Sequence, residues 1–284
     1  MKAGAPRSVG LARRRFAGHL RRMASPPAEL VRRHDPDRFL CALFAPEALR
    51  ERLFVLYAFN HELARAREVA SVPMLALIRL QWWREVVEGA RRSHEVAGPL
   101  LDAVEAGALD RTALLSLIEA RETEAEDAIP TLDAWRAHAL AGAGGLAAEA
   151  ARCLGGDADG VQAALALGAA YGVAGMLRSV PALARQGRCL LPEDVLARHG
   201  LDRDTVIAAP RSPGMDEVRA ELAAEGQALL REGRAVRLPR RVVAAVLPAV
   251  LARRDLARGG DGEAGARGLG DRVAVMLAAA RGRV

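Results

Sequence analysis

Apolar side chains recur along this chain at intervals of three and four residues, Gly and Pro punctuate the long Ala/Leu/Arg stretches, and the alternation of a half-buried strand is nearly absent. The pattern predicts an all-α protein. After a short entry from Asp35 to Cys41, PEALRERLFVLYAFNHELARAREVA opens at Pro46, a residue suited to a helix start, and sets Leu49, Leu53, Leu56 and Phe59 at helical spacing. A second helix is expected after Ser71-Val72-Pro73 in MLALIRLQWWREVVEGARR, broken at Gly98-Pro99. Shorter helices are expected over Leu100 to Gly107 and over Arg111 to Asp127, the latter capped by Asp110 or Thr112.

Beyond Pro130, TLDAWRAHALAGAGGLAAEAARCLGG reads as a helix of small residues that ends at Gly155-Gly156 and lets another backbone come close. Asp157 to Leu183 reads as a long apolar helix that Pro181 should kink or stop. Leu191-Pro192 opens a further helix, and others are expected near Met215 to Gly233, over Arg241 to Arg258, and from the Gly-rich RGGDGEAGARGLG to Val284. No internal repeat at a solenoid period is visible.

Hydrophobic residues make up 51% of the 284 positions, enough for a large buried core. The expected organisation is a basic tail over residues 1–34 and one helical domain over 35–284. The first two dozen residues carry many Arg and no acid before Glu29, which fits either a mitochondrial presequence or a basic bacterial tail. The formal charge is +6 with Lys2 as the one lysine, so guanidinium groups carry nearly all the positive charge. Nucleic acid is excluded as a partner: there is no helix-turn-helix signature or Cys/His finger spacing, and aromatic residues are 4% of the chain. Cys41, Cys153 and Cys189 form no CxxC pair, which points to a reducing compartment and away from zinc or a disulfide framework. No uninterrupted apolar run approaches the roughly 18 residues of a spanning helix, so the protein is expected to be soluble or to lie on a membrane.

Several positions could carry chemistry. Glu119, Glu122 and Glu126 fall along one helix face, as a cation site or as a solvated acidic stripe. Trp82 and Trp83 point about 100° apart on a helix, so at most one faces the core centre. His61 and Glu62 form a polar patch inside an apolar helix, either a buried hydrogen-bonded pair or a reactive one. Arg178, Arg185 and Arg188, in MLRSVPALARQGRCLLPEDVLARHG, frame a site for an anion with no acid before Glu193. No P-loop, GxGxxG or Ser-His-Asp order is present.

Three blocks in order, FLCALFAPEALRERLFVLYAFNHELA, IRLQWWREVVEG and LGAAYGVAGMLRSVPALARQGRCLLPEDVL, resemble the squalene and phytoene synthase family over Asp35 to Gly200, and more loosely beyond. The resemblance implies an isoprenoid synthase-like helical bundle around a central cavity, in which two Asp-rich helix segments hold Mg²⁺ against prenyl diphosphates during head-to-head condensation. Hard carboxylate oxygens suit that ion and that charge. Both segments depart from the pattern here: the leading aspartates of the first fall on Ala64 and Arg65, with Glu68 the retained acid, and those of the second fall on Ser179 and Leu183.

With those ligands lost, no catalytic residue, metal or cofactor is expected. Mg²⁺ enters only under the alternative of an active prenyl transferase with atypical ligands such as Glu62, Glu68 or Glu122. Arg178, Arg185 and Arg188 are the anion candidates implied by the resemblance, and Tyr57, His61, Glu62, Trp83 and Tyr171 the cavity candidates. The same departures are similar to a branch of the family that serves respiratory complex I assembly. That likeness implies complex I subunits or a prenyl lipid as partners, and a cytoplasmic location peripheral to the inner membrane, or the mitochondrial matrix in a eukaryote.

Overall fold

Helix caps and turn residues punctuate the chain at most of the positions where periodicity breaks, and the computed structural model describes residues 25–70, 72–123, 128–258 and 267–284. The first helix, Pro26–His34 (α1), opens on two prolines behind Ser25, whose hydroxyl accepts from the Ala28 amide at 3.2 Å. Glu29 lies in its first turn and Arg32, Arg33 and His34 in its last, complementing the helix dipole. Ala28 and Val31 are buried against the core, so the folded domain reaches back at least to Ser25 and the expected tail boundary at residue 34 is corrected. The basic charge of this stretch masked a cap followed by apolar residues three apart. Residues 1–24 lie outside the described residues.

Pro36–Ala42 (α2) is capped by Asp35. Glu47–Glu68 (α3) and Pro73–Glu88 (α4) form the next pair, and α4 ends at Gly89 (φ 126°), nine residues ahead of the expected Gly98-Pro99 break. Gly98 and Pro99 instead lie in the first turn of Ala97–Glu105 (α5), where the missing proline N–H costs nothing. Arg111–Thr123 (α6) is capped by Asp110, whose carboxylate accepts from the Ala113 amide at 2.8 Å, and Thr131 caps Leu132–Ala139 (α7). A π-helical turn, Leu140–Gly144, joins α7 to Gly145–Cys153 (α8).

Ala158–Ala184 (α9), capped by Asp157, is the axis of the bundle. It is followed by Glu193–Arg198 (α10), Arg203–Ala208 (α11) and Gly214–Arg234 (α12). Pro181 sits within the final turn of α9, which runs on to Ala184; this near the end, a proline interrupts at most the last turn rather than bending the whole helix. The single helix expected over Arg241 to Arg258 is split into Val243–Val246 (α13) and Pro248–Ala257 (α14), because Pro248 has no N–H to continue the ladder. Leu269–Arg281 (α15) closes the fold.

α9 packs on the π turn, α8, α12 and α14 at once. It is long and apolar enough to cross a membrane, but most of that stretch is buried by these neighbours, as in the core helix of a globular domain. Small residues make the crowding feasible. A Cβ at Gly168 would overlap that of Ala147 and stand 2.5 Å from the Ala143 carbonyl oxygen, so the backbones touch directly. Gly175, seven residues on, is exposed with nothing within 4 Å of the same point.

Two substitutions on one helix should therefore diverge. Gly168→Ala is expected to lower stability by about 1–3 kcal/mol through overpacking, whereas Gly175→Ala should raise it by a few tenths to about 1 kcal/mol by restricting the unfolded chain. Urea unfolding monitored by circular dichroism reads both; equal midpoints for the two variants would contradict the close approach.

Candidate functional site at the centre of the bundle

Tyr57 on α3 and Tyr171 on α9 flank the Arg38 guanidinium of α2, which lies 5.8 and 4.9 Å from the two ring centroids. Arg38 also pairs with Asp35 at 2.8 Å. Together with Ala143, Ala147, Gly168, Val246 and Ala249 these side chains leave a central cavity of only ≈ 10 Å³, the space of about one water molecule. At this spot the helices leave little room: two aromatic rings and a guanidinium fill it, and the α9 glycine brings the walls together. Burial pushes both phenols well above their ordinary range, so they remain neutral hydrogen-bond donors.

A chain of ion pairs runs outward from Tyr171. Its hydroxyl donates to Asp37 Oδ2 at 3.0 Å, and Arg267 Nε donates to the same oxygen at 2.9 Å. Arg267 then reaches Asp255 Oδ1 at 2.7 Å, and Arg178 NH1 approaches Asp255 Oδ2 at 3.4 Å. Asp255 is 4% exposed, so its charge is compensated by guanidinium rather than by water. Sequence reasoning missed Arg38, Asp37, Asp255 and Arg267. Asp255 carried the one usable signal, an acid in the otherwise apolar face of α14.

The predicted site residues divide into those that reach the centre and those that do not. Tyr57 and Tyr171 line the cavity; His61, Glu62 and Trp83 do not. His61 stacks on His34 with ring centroids 4.4 Å apart and leaves its buried Nε2 without a partner. Glu62 pairs with Arg65 at 3.3 Å and stands 4.0 Å from His94. Trp83 is buried edge-on against Phe59 while Trp82 is half-buried, in keeping with their divergent directions. Arg178 faces Asp255, a buried carboxylate of the chain itself, rather than a space for an external anion. Arg185 is exposed and Arg188 half-buried, and neither lines the central cavity.

At the lost ligand positions, Ala64 and Leu183 are half-buried, Arg65 is exposed, and Ser179 Oγ donates back to the Met176 carbonyl at 2.8 Å. Glu119 and Glu122 pair with Arg84 at 3.8 and 2.8 Å, a solvated ionic face, while Glu126 lies outside the described residues. A divalent cation does not fit this donor set. Among the described residues no three His, Cys, Asp or Glu side chains converge, and both central aspartates already face Arg267.

Asp255→Ala should cost about 3–5 kcal/mol, because it strands Arg267 and Arg178 without their shared carboxylate; a urea midpoint within error of wild type would contradict the network. A second outcome concerns pH. Burial, reinforced by the neighbouring His34, holds His61 below the ordinary imidazole value of 6.5. The folded state therefore binds this proton less readily than the unfolded chain, and the associated stability is present above about pH 6.5 and lost as pH falls below it. His61→Phe should flatten the decline in the urea midpoint between neutral and mildly acidic pH relative to wild type.

Residues 31–259 match the family model described as squalene/phytoene synthase. Among solved structures, a dehydrosqualene synthase in complex with ligand superposes with a TM-score of 0.76 at 15% identity, covering 94% of this chain and 98% of that one. A squalene synthase from Alicyclobacillus acidocaldarius gives 0.63 at 22% identity, covering 90% and 92%. Sequence relatives carry a different name. NADH dehydrogenase (ubiquinone) complex I, assembly factor 6, from Rattus norvegicus is 29% identical over 231 residues, 78% of this chain and 68% of its own length. Its Drosophila melanogaster homologue is 31% identical over 193 residues, 63% and 57% respectively. With four-fifths of its length matched by one family model and the same all-α fold throughout, the chain belongs to the squalene/phytoene synthase family.

Proposed function

We propose that this protein serves the assembly of complex I and does not condense prenyl diphosphates. The observation that carries the reading is the state of the bundle centre: a cavity of ≈ 10 Å³ filled by Tyr57, Tyr171 and Arg38, beside aspartates neutralised by Arg267. A prenyl chain has no room in that pocket, and the aspartates beside it are already paired with Arg267 rather than open to a metal ion. An active transferase with atypical ligands requires Glu62, Glu68 and Glu122 to converge; instead Glu62 faces Arg65, Glu68 is exposed and Glu122 faces Arg84. The relatives named as complex I assembly factors support the positive half of the proposal.

The exposed apolar side chains point to the surface as the working face. At the corner between α3 and α4, Val69, Val72, Met74, Leu75, Leu77 and Ile78 are all exposed, a density of large apolar side chains that marks a contact face. Complex I subunits are the partners this reading assigns. The site of action is the membrane where that complex is built, from the cytoplasm of a bacterium or the matrix of a mitochondrion.

Removing the protein from its native cell should lower both NADH:ubiquinone activity in membranes and the amount of full-size complex I on native gels, with recovery on re-expression. Unchanged complex I would overturn the assembly role. Purified protein given farnesyl or geranylgeranyl diphosphate with Mg²⁺ should yield no condensed hydrocarbon, and turnover would overturn the non-catalytic half.

A further inference from the structure

A wide groove of ≈ 1030 Å³ lies away from the tyrosine pocket, enclosed by the end of α12, the turn after it, α13 and α15. Leu167, Val243, Val246 and Ala278 give it an apolar floor. Its lining includes Arg234, Arg237, Arg253, Arg281 and Arg283, and among the described residues no Asp or Glu side chain. Arg237, Arg253, Arg281 and Arg283 are exposed, and none is in an ion pair among the described residues. Arg234 donates to Val284 O at 3.0 Å, and the other four guanidiniums, with no carboxylate partner among the described residues, repel one another unless an anion joins them.

α15 borders this groove and is amphipathic in an unusual sense. Its inner face is fixed by buried Val275 and Ala278 and by Asp271, which pairs with Arg254 at 2.6 Å. Its outer face is apolar as well. Leu269, Val273, Met276 and Leu277, at i, i+4, i+7 and i+8, form one stripe; Leu269 is 79% and Met276 52% exposed. Leu277 belongs both to the stripe and to the groove wall, so the apolar strip and the guanidinium cluster are continuous.

We infer that this groove and the outer face of α15 form a docking surface for an anionic phospholipid bilayer. Side-by-side segregation of an apolar helix stripe and unpaired arginines matches the layered order of a membrane interface, with phosphates above the acyl region. Arg281, at the end of the stripe, has a stem long enough to follow the apolar layer while its head reaches a phosphate. An aqueous anion would engage the guanidiniums and leave the stripe unexplained; a neutral apolar partner would do the reverse. This surface stands apart from the assembly role, which would survive its failure.

Co-sedimentation of the full chain with vesicles tests it. Binding is expected to vesicles of phosphatidylcholine mixed with phosphatidylglycerol, to be much weaker on phosphatidylcholine alone, and to fall as NaCl rises. The triple variant Arg237→Gln, Arg253→Gln, Arg281→Gln should bind the mixed vesicles on the order of 100-fold more weakly, since each basic residue near an anionic surface contributes about fivefold. Leu269→Ser with Met276→Ser should also weaken binding several-fold, and both variants should keep the wild-type melting temperature because every altered side chain is exposed. Equal binding to the two vesicle types would overturn the inference. So would wild-type binding by the arginine variant, or loss of binding in Met74→Ser with Ile78→Ser alone, which would place the membrane contact at the α3–α4 corner.

Discussion

Glycine and alanine along α9 let the π turn, α8 and α12 approach it backbone to backbone, and the rest of the bundle is arranged around that contact. Gly168 meets Ala143 and Ala147 on one side, while Gly226 and Gly233 of α12 have no space for a Cβ against Val173 and Leu167 on another. Where backbones touch, little volume remains between helices, and dispersion contacts replace what a wider bundle would leave for ligand or water. The π turn falls at Leu140–Gly144, the stretch that meets α9. The extra residue in that turn re-aims the chain so that α7 and α8 lie against different lengths of the same axis.

The closed centre changes what its charges can do. A carboxylate pair that bound a metal would have to release solvent and exchange ligands; Asp37 and Asp255 are instead bridged by Arg267, a cation that is covalently part of the chain and cannot leave. Tyr171 adds a neutral donor to Asp37, and Arg178 a second cation to Asp255. Such a network satisfies buried charge in place and holds α2, α9, α14 and the segment before α15 in register. It supplies structural specificity where the resemblance places the chemistry, and Ala64, Arg65, Ser179 and Leu183 agree with it, because among the described residues no three His, Cys, Asp or Glu side chains converge on a cation.

Most of this fold was legible from spacing and punctuation. Pro46, Asp110 and Asp157 mark helix starts where they were read, and the small residues of the Pro130–Gly156 stretch do admit a second backbone. The departures have two physical sources. A proline's effect depends on its position in the turn, so Pro99 in a first turn and Pro181 in a last turn interrupt little while Pro248 divides α13 from α14. In Ser25–His34 the Ser25 cap and the buried Ala28 and Val31 make a helix of a strongly basic stretch. The centre was half legible: Tyr57 and Tyr171 lie on the helices that carry the family motifs, but their partners Arg38 and Asp37 lie 134 residues from Tyr171 in one case, and Arg267 lies 230 residues from Asp37, with no local pattern to join them.

What the interior gives up, the surface has to express. Among the described residues, large exposed apolar side chains gather chiefly at the α3–α4 corner and along α15, with Phe44 and Val236 apart from both. The two clusters differ in their electrostatic setting. At the corner, Arg65 is drawn towards Glu62, and Glu68 lies exposed nearby, so the local charge is mixed and suits a protein face with both signs. In the groove beside α15 the charged side chains among the described residues are all arginines, and four of them are exposed without an ion pair, which suits a surface of uniform opposite charge. Two apolar faces with different electrostatics can be occupied at the same time by different things, and a protein that joins a membrane-built complex to its membrane requires two such faces.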